Sequence, residues 1–399
     1  MTKETTGFFS RHTFSTPEEN WNGRFEWYKE MRNTSPIMYD GKAKCWDIFL
    51  YEDVESIIKN KELFSSERPV QQGEPSILSL DPPRHTQLRS LVSKAFTPRE
   101  LNLWKPRIEQ ITYNLVKNIK EKEDFDLIKD LAYPLPVMVI ADILGVPEQD
   151  MADFKRWSDI LVAGPKNSSV EALESLKKLR IECIKQMDMY FEDIIKQKRA
   201  HTTTDLISIL LDAEIENQKL SDQEIKSFCR LLLAAGNETT TNLIGNTMYG
   251  LLEEPNLYNQ LQESLEHITL AIEEGLRHRS PVQALNRIAK EDVDIKGNKI
   301  KAGDALTLWV GSANRDENKF TNPDQFIINR KPNQHLSFGK GIHFCLGAPL
   351  ARLEGQIAFE QLMKELPGIH IPKDFKITPI QSAFVFGLKQ FPLKIKGRR

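Results

Sequence analysis

From Thr86 to Glu254 apolar side chains recur at three- and four-residue intervals with few breaks, the period of amphipathic helices. Pro147, Pro165 and the Thr202–Thr204 stretch mark loops within it. The period changes on either side of that body. Ser35 to Phe49 reads as short strands around an Asp40-Gly41 turn, and Ile288 to Val310 alternates, with turn signals at Lys296-Gly297-Asn298 and Ala302-Gly303-Asp304. Asn322 to Gly347 has no period and predicts irregular chain, Ala348 to Leu362 reads as a helix, and Phe375 to Ile395 reads as a hairpin. The pattern predicts a mainly α fold with small β-sheets.

One predicted helix stands apart. Ser221 and Glu224 form a capping box, so a helix starts there, and Pro255 marks its end. At over 30 residues it spans roughly 45 Å and must cross the body of the protein. Its middle reads Leu231-Leu232-Leu233-Ala234-Ala235-Gly236-Asn237-Glu238-Thr239-Thr240-Thr241. Apolar on most faces, this centre must be largely buried. A glycine, an acid and three threonines are costly there unless they serve a purpose. A threonine hydroxyl can bond back to the preceding turn and loosen the helix.

The second landmark is Phe338-Gly339-Lys340-Gly341-Ile342-His343-Phe344-Cys345-Leu346-Gly347. One cysteine sits between glycines and just ahead of a predicted helix. Glycines let backbone approach a flat ligand closely, and a helix N-terminus stabilises a thiolate. An arbitrary single cysteine is more often a small buried hydrophobe. The run F-G-x-G-x-H-x-C-x-G, however, resembles the haem-thiolate signature of cytochromes P-450. The resemblance implies that fold, with the long central helix crossing the haem, Cys345 as axial ligand of the iron, and haem b as cofactor. The central helix is similar to the family's A-G-x-[DE]-T motif, which implies Glu238 and Thr239 as the acid–alcohol pair of oxygen activation.

Three further matches add to it. Glu274-Gly275-Leu276-Arg277 puts acid and base on one helical face. Alone it is an ordinary surface pair of little worth. As the family's E-x-x-R motif it implies a buried network with Arg330 that holds the irregular chain before Cys345. In Asp81-Pro82-Pro83-Arg84-His85-Thr86-Gln87-Leu88-Arg89, Asp81 caps and the prolines open a helix, and His85 and Arg89 share a face. The resemblance implies that His85, Arg89, Arg287 and His343 meet the haem propionates. It also places substrate-pocket walls at Ile77, Leu78, Leu231, Ala234, Ala235, Val282, Leu285, Phe384 and Val385. These are apolar, which favours a neutral, lipid-like substrate such as a terpenoid, steroid or fatty acid derivative.

Composition narrows the partners. The chain has 399 residues and is 40% hydrophobic, enough for a large core, and no linker or repeat divides it. We therefore expect a single haem-binding domain over 1–399 without a fused reductase. Lys+Arg 54 against Asp+Glu 56 argues against a nucleic-acid binder. Cys45, Cys183, Cys229 and Cys345 are scattered, against a disulfide framework or zinc site. Met1 to Pro17 has no apolar run for a signal or membrane anchor, so cytoplasm is expected. The resemblance implies a monooxygenase that takes O2 and receives electrons from a separate ferredoxin or flavodoxin with its reductase. Lys340 and Arg352 are candidate basic contacts for that partner. A peroxygenase and a haem sensor are the competing readings. The acid–alcohol pair weighs against the first, and the lack of an output domain against the second.

Overall fold

The computed structural model describes residues 16–67, 76–162, 170–201, 203–215, 218–254, 256–380 and 382–395. The loop and stop signals at Pro165, Thr202 and Pro255 lie outside these residues. Helices follow in the order α1 (Arg24–Thr34), α2 (Tyr51–Lys59), α3 (Arg84–Ser93), α4 (Pro98–Lys120), α5 (Pro134–Ile143), α6 (Met151–Val162), α7 (Val170–Ala200), α8 (Leu206–Asp212), α9 (Asp222–Glu253), α10 (Leu257–Glu263), α11 (Ile268–His278), α12 (Val310–Ala313) and α13 (Ala348–Glu365). The long helix is α9, and both bonds of its capping box between Ser221 and Glu224 are made. Its second half, from Thr240 to Leu251, is buried without interruption, because α5, α11 and α13 pack around it. The main hydrophobic core surrounds this crossing helix.

A second, smaller core lies under the main sheet. The sheet is built from β1 (Ile37–Asp40), β2 (Cys45–Ile48), β3 (Phe64–Ser65), β7 (Leu285–Ala289) and β10 (Ala305–Leu308), in the order β1-β2-β10-β7-β3. The β2–β10 pair is parallel and the others antiparallel. Between β7 and β10, a hairpin of β8 (Val293–Ile295) and β9 (Asn298–Ile300) turns at Lys296 (φ 53°) and Gly297 (φ 88°), as the sequence predicts. The remaining strands are β4 (Asp124–Asp126), β5 (Glu214–Ile215), β6 (Gln218–Lys219), β11 (Ile369–His370) and β12 (Pro392–Ile395).

Two local expectations need correction. Asp81 does not cap α3. That helix starts after Pro83 without a side-chain cap, and the Asp81 carboxylate instead accepts from the Ser66 N–H at 3.0 Å. Nor is Phe375 to Ile395 one hairpin. The chain doubles back only through a bridge between Pro379 and Leu388, and β12 leaves to pair with β4 and β11. The turn of this segment is tied to the far end of the chain. Arg24 on α1 donates to the carbonyls of Ser382 at 2.8 Å and Ala383 at 3.5 Å.

Candidate active site

The irregular chain ahead of Cys345 is shaped by its own backbone. Gly339 and Gly341 take φ of +68° and +69°, which side-chain-bearing residues rarely adopt. The Gly339 N–H reaches the Leu336 carbonyl at 2.8 Å, and the Cys345 N–H reaches the Phe338 carbonyl at 2.9 Å. The cysteine is thereby fixed at the mouth of α13. Burial pushes its thiol up, while the Gly347 and Ala348 N–H groups, Arg89 and Arg352 pull it the other way. Cys45, Cys183 and Cys229 are buried elsewhere, and the described residues hold no cluster of metal-ligating side chains. Cys345 thus offers one thiolate ligand and no more.

Cys345 opens on a cavity of about 310 Å³. His85, Arg89, Arg287 and His343 line it, from α3, β7 and the cysteine loop. The two imidazoles lie against each other, with ring centroids 4.1 Å apart and planes tilted by 48°. Burial lowers both, and His343 falls to about 4 with further help from His85 and Arg287. Both rings are therefore neutral near pH 7. His85 Nδ1 and His343 Nε2 are buried with no hydrogen-bond partner in the protein. Arg89 donates to the Phe344 carbonyl at 2.7 Å and Arg287 to the Asn286 carbonyl at 2.8 Å. Orphaned ring nitrogens between two guanidinium groups suit a buried anion such as a carboxylate.

The opposite wall is one face of α9. Leu231, Leu232, Ala235, Gly236, Thr239, Thr240 and Leu243 line the cavity, an i, i+4 stripe two residues wide. Ala234 and Glu238 fall on the neighbouring stripe and outside the lining. Thr239 Oγ1 donates back to the Ala235 carbonyl at 2.6 Å. Burial lifts the Glu238 carboxyl to about 7, against a pull from Arg180. Ile77, Leu78, Val282 and Leu285 complete the apolar wall. Phe384 and Val385 do not reach it. They stand one layer behind, where Val385 bridges to Val282 and the Phe384 carbonyl accepts from the Gln283 N–H at 2.7 Å.

The comparisons with known proteins agree with this geometry. Residues 8–396 match the family model of cytochrome P450.

The chain belongs to the cytochrome P450 family.

It is 48% identical over 373 residues to the cytochrome P450 YjiB of Bacillus subtilis, covering 93% of each. It is 45% identical over 372 residues to cytochrome P450 109 of Bacillus spizizenii, covering 93% of this chain and 91% of the relative. The substrate-free structure of CYP109E1 from Bacillus megaterium superposes with a TM-score of 0.91 at 47% identity, covering 94% of this chain and 99% of that one. The same enzyme with corticosterone gives 0.90 at 46% identity, covering 95% and 100%. The protein is thus a P450 monooxygenase, an oxidoreductase of a family that works with haem iron. Among the described residues, no helix is long and apolar enough to cross a membrane.

Behind the P450 cysteine loop lies the acid–base network. Glu274 and Arg277 are fully buried and bonded through both forks, at 2.8 and 2.7 Å. Arg330 Nε reaches both Glu274 oxygens, at 3.0 and 3.1 Å, and the Ile327 N–H adds a bond of 2.9 Å. The remaining guanidinium donors take the carbonyls of Asn314, Thr321, Asn322, Pro323 and Gln325. The irregular chain is hung on these three side chains. Sequence reasoning missed Asn314, whose buried amide accepts from the Leu336 N–H at 2.7 Å and donates to Ser337 Oγ at 2.9 Å. It also missed Glu354, a cavity-lining acid on α13. Lys340 and Arg352, the candidate docking cations, are not free. Lys340 pairs with Glu55, and Arg352 forks onto Glu273 at 2.6 and 2.8 Å.

Proposed function

We propose that this P450 inserts one oxygen atom of O2 into a neutral, lipid-like molecule, with haem b held by Cys345 and electrons supplied by a separate ferredoxin or flavodoxin and its reductase. The observation that carries the reading is the single cavity that brings together one cysteine, two orphaned imidazoles, two arginines and an apolar wall. When bound, the haem iron supplies the activation of O2 and the insertion into a C–H bond. His85, Arg89, Arg287 and His343 would hold the two propionates.

On the α9 side, Thr239 and Glu238 have different tasks. The Thr239 proton is spent on the Ala235 carbonyl, so its oxygen offers lone pairs toward the cavity. It orients a water by accepting from it. Glu238, poised near neutrality on the adjacent stripe, exchanges protons with the α7 side and passes them to that water. The apolar wall excludes bulk water and sets the substrate class. Relatives support that class. CYP109E1 structures contain testosterone or corticosterone, and P450BioI, 35% identical, contains a hexadecenoic acid on acyl carrier protein. A terpenoid, steroid or fatty acid derivative fits the same wall.

The test is spectroscopic first. Reduced haem-loaded protein with carbon monoxide shows the long-wavelength thiolate band, and Cys345→Ala loses it. Retention of that band in the variant overturns the ligand assignment. A panel of terpenoids, steroids and fatty acid derivatives, scored by the low-spin to high-spin shift, then identifies the substrate. Turnover with a ferredoxin system separates the monooxygenase from a protein active only with H2O2.

A further inference from the structure

One buried acid has no task in that chemistry. Glu354 lies on α13, the helix that starts just after the Cys345 loop. Leu350, Ala351 and Glu354 are spaced i, i+1, i+4, share a face, and line the same cavity as Cys345. From Ala348 to Glu354 the helix rises about 9 Å, so the carboxyl stands in the neighbourhood of the cysteine. Glu354 is 2% exposed, and its Oε2 meets no hydrogen-bond partner. Packing alone would be served better by leucine or methionine, because a lone buried acid costs stability.

Among the described residues, no cation on the helices packed against it pairs with Glu354. α13 packs against α4, α9 and α11. The buried residues of α4 are uncharged, from Trp104 to Ile119, and α9 contributes Thr240 and Leu243 to the shared cavity. On α11, Glu273 is committed to Arg352 and His335, and Glu274 to Arg277 and Arg330. The other charged or titratable groups bordering the cavity are His85, Arg89, Arg287, Lys340, His343 and Cys345. Burial alone pushes the Glu354 carboxyl up, to about 8.

We propose that Glu354 couples electron entry to proton uptake: its carboxylate takes a proton from solvent as the cofactor above Cys345 accepts an electron. The inference rests on the haem-thiolate reading. The balance is one electron from the one-electron donor protein to ferric iron, giving ferrous iron, and one proton bonded to a Glu354 oxygen, giving the carboxylic acid. No other bond is made or broken, and the buried site keeps its total charge. The physical cause is Coulombic: in a cavity of low dielectric, an added electron nearby makes the carboxylate hold its proton more tightly. Below the ionisation the acid is protonated in both redox states and the coupling is silent. Between that ionisation in the oxidised protein and the higher one in the reduced protein, electron entry brings up to one proton and the potential falls as pH rises; above both, the acid is ionised in either state and the potential is level again.

Two measurements on the full chain test this. Infrared titration of the haem-free protein should show, beside the Glu238 band that fades near pH 7, a carboxylic-acid carbonyl band that fades near pH 8 and is missing in Glu354→Gln. If the band that fades near pH 8 survives in that variant, or is missing from the native protein at neutral pH, the proposal is overturned. In the haem-loaded protein, the reduction potential, followed spectroelectrochemically from about pH 6 to about pH 10, should fall with rising pH. The slope near and above about pH 8 should be lost in Glu354→Gln. A flat native curve overturns the proposal whether or not any variant folds. So does an unchanged slope in Glu354→Gln. Lack of the carbon monoxide thiolate band would remove the haem-thiolate reading and the coupling with it, while the infrared result on Glu354 would stand alone.

Discussion

The Cys345 side of the cavity and the α9 side reach order by opposite routes. The chain from 322 to 347 is irregular, and side chains supply what secondary structure does not: Glu274, Arg277, Arg330 and Asn314 bond its carbonyls and N–H groups one by one. The α9 wall is a continuous helix whose backbone satisfies itself, leaving its side chains free to be apolar or reactive. The first wall is specified by a few irreplaceable bonds, the second by many exchangeable contacts. Substitutions should therefore cost stability on one side and chemistry on the other.

The largest effect belongs to Glu274→Ala. It strands two buried guanidinium groups, and loss of one partner from such a network costs roughly 3–5 kcal/mol. We expect little folded, haem-competent protein, read by urea denaturation and haem content. A folded variant with full haem and no turnover would contradict this and make Glu274 a catalytic acid. Asn314→Ala is next. It leaves the buried Leu336 N–H without an acceptor, at about 2 kcal/mol, and should loosen the cysteine loop enough to speed haem loss, followed by transfer of haem to an acceptor protein.

On the α9 side the effects shrink and change kind. Burial raises the Glu238 carboxyl from 4.5 to about 7, so the folded protein binds this proton more tightly than the unfolded chain. Stability should therefore fall as pH rises through that window and level off above it, by roughly 1 kcal/mol after solvent screening. Glu238→Gln should remove this part of the curve and leave the fall that Glu354 causes up to about pH 8, and an unaltered pH profile of the melting temperature would show that Glu238 is not the group titrating. Smallest in stability is Thr239→Ala, within about 0.5 kcal/mol. Substrate affinity and spin shift should stay near native, while H2O2 rises at the expense of hydroxylated product per NAD(P)H consumed. An unchanged product ratio would shift attention to Thr240, which lines the same wall.

The same contrast governs what could be read from sequence. The long helix announced itself through Ser221, Glu224 and its apolar middle, since capping and period are local. The Glu274, Arg277 and Arg330 network could be named because its acid and first base lie one helical turn apart within a known motif. Asn314 gave no such signal, because its meaning comes from Leu336 and Ser337, which are distant in sequence. Ala234, Phe384 and Val385 were placed in the wall by the family resemblance, which carries a motif's position but not each side chain's direction. A rotation of about 100° per residue turned Ala234 aside, and the bridge to Val282 put Val385 behind the wall. Glu354 escaped because a glutamate on a helix ordinarily points to water, and only the packing of α13 shows otherwise.

The bond from Arg24 to the Ser382 carbonyl joins positions 358 residues apart, and the turn it holds backs Val282 on the cavity wall. A contact of such long sequence separation must meet a loop-closure entropy before it can form. The pocket is therefore among the last features to take shape as the chain is made. Until the 380s have emerged and met the first helix, the wall behind Val282 stays open, and a nascent chain halted short of that point has nothing with which to close it.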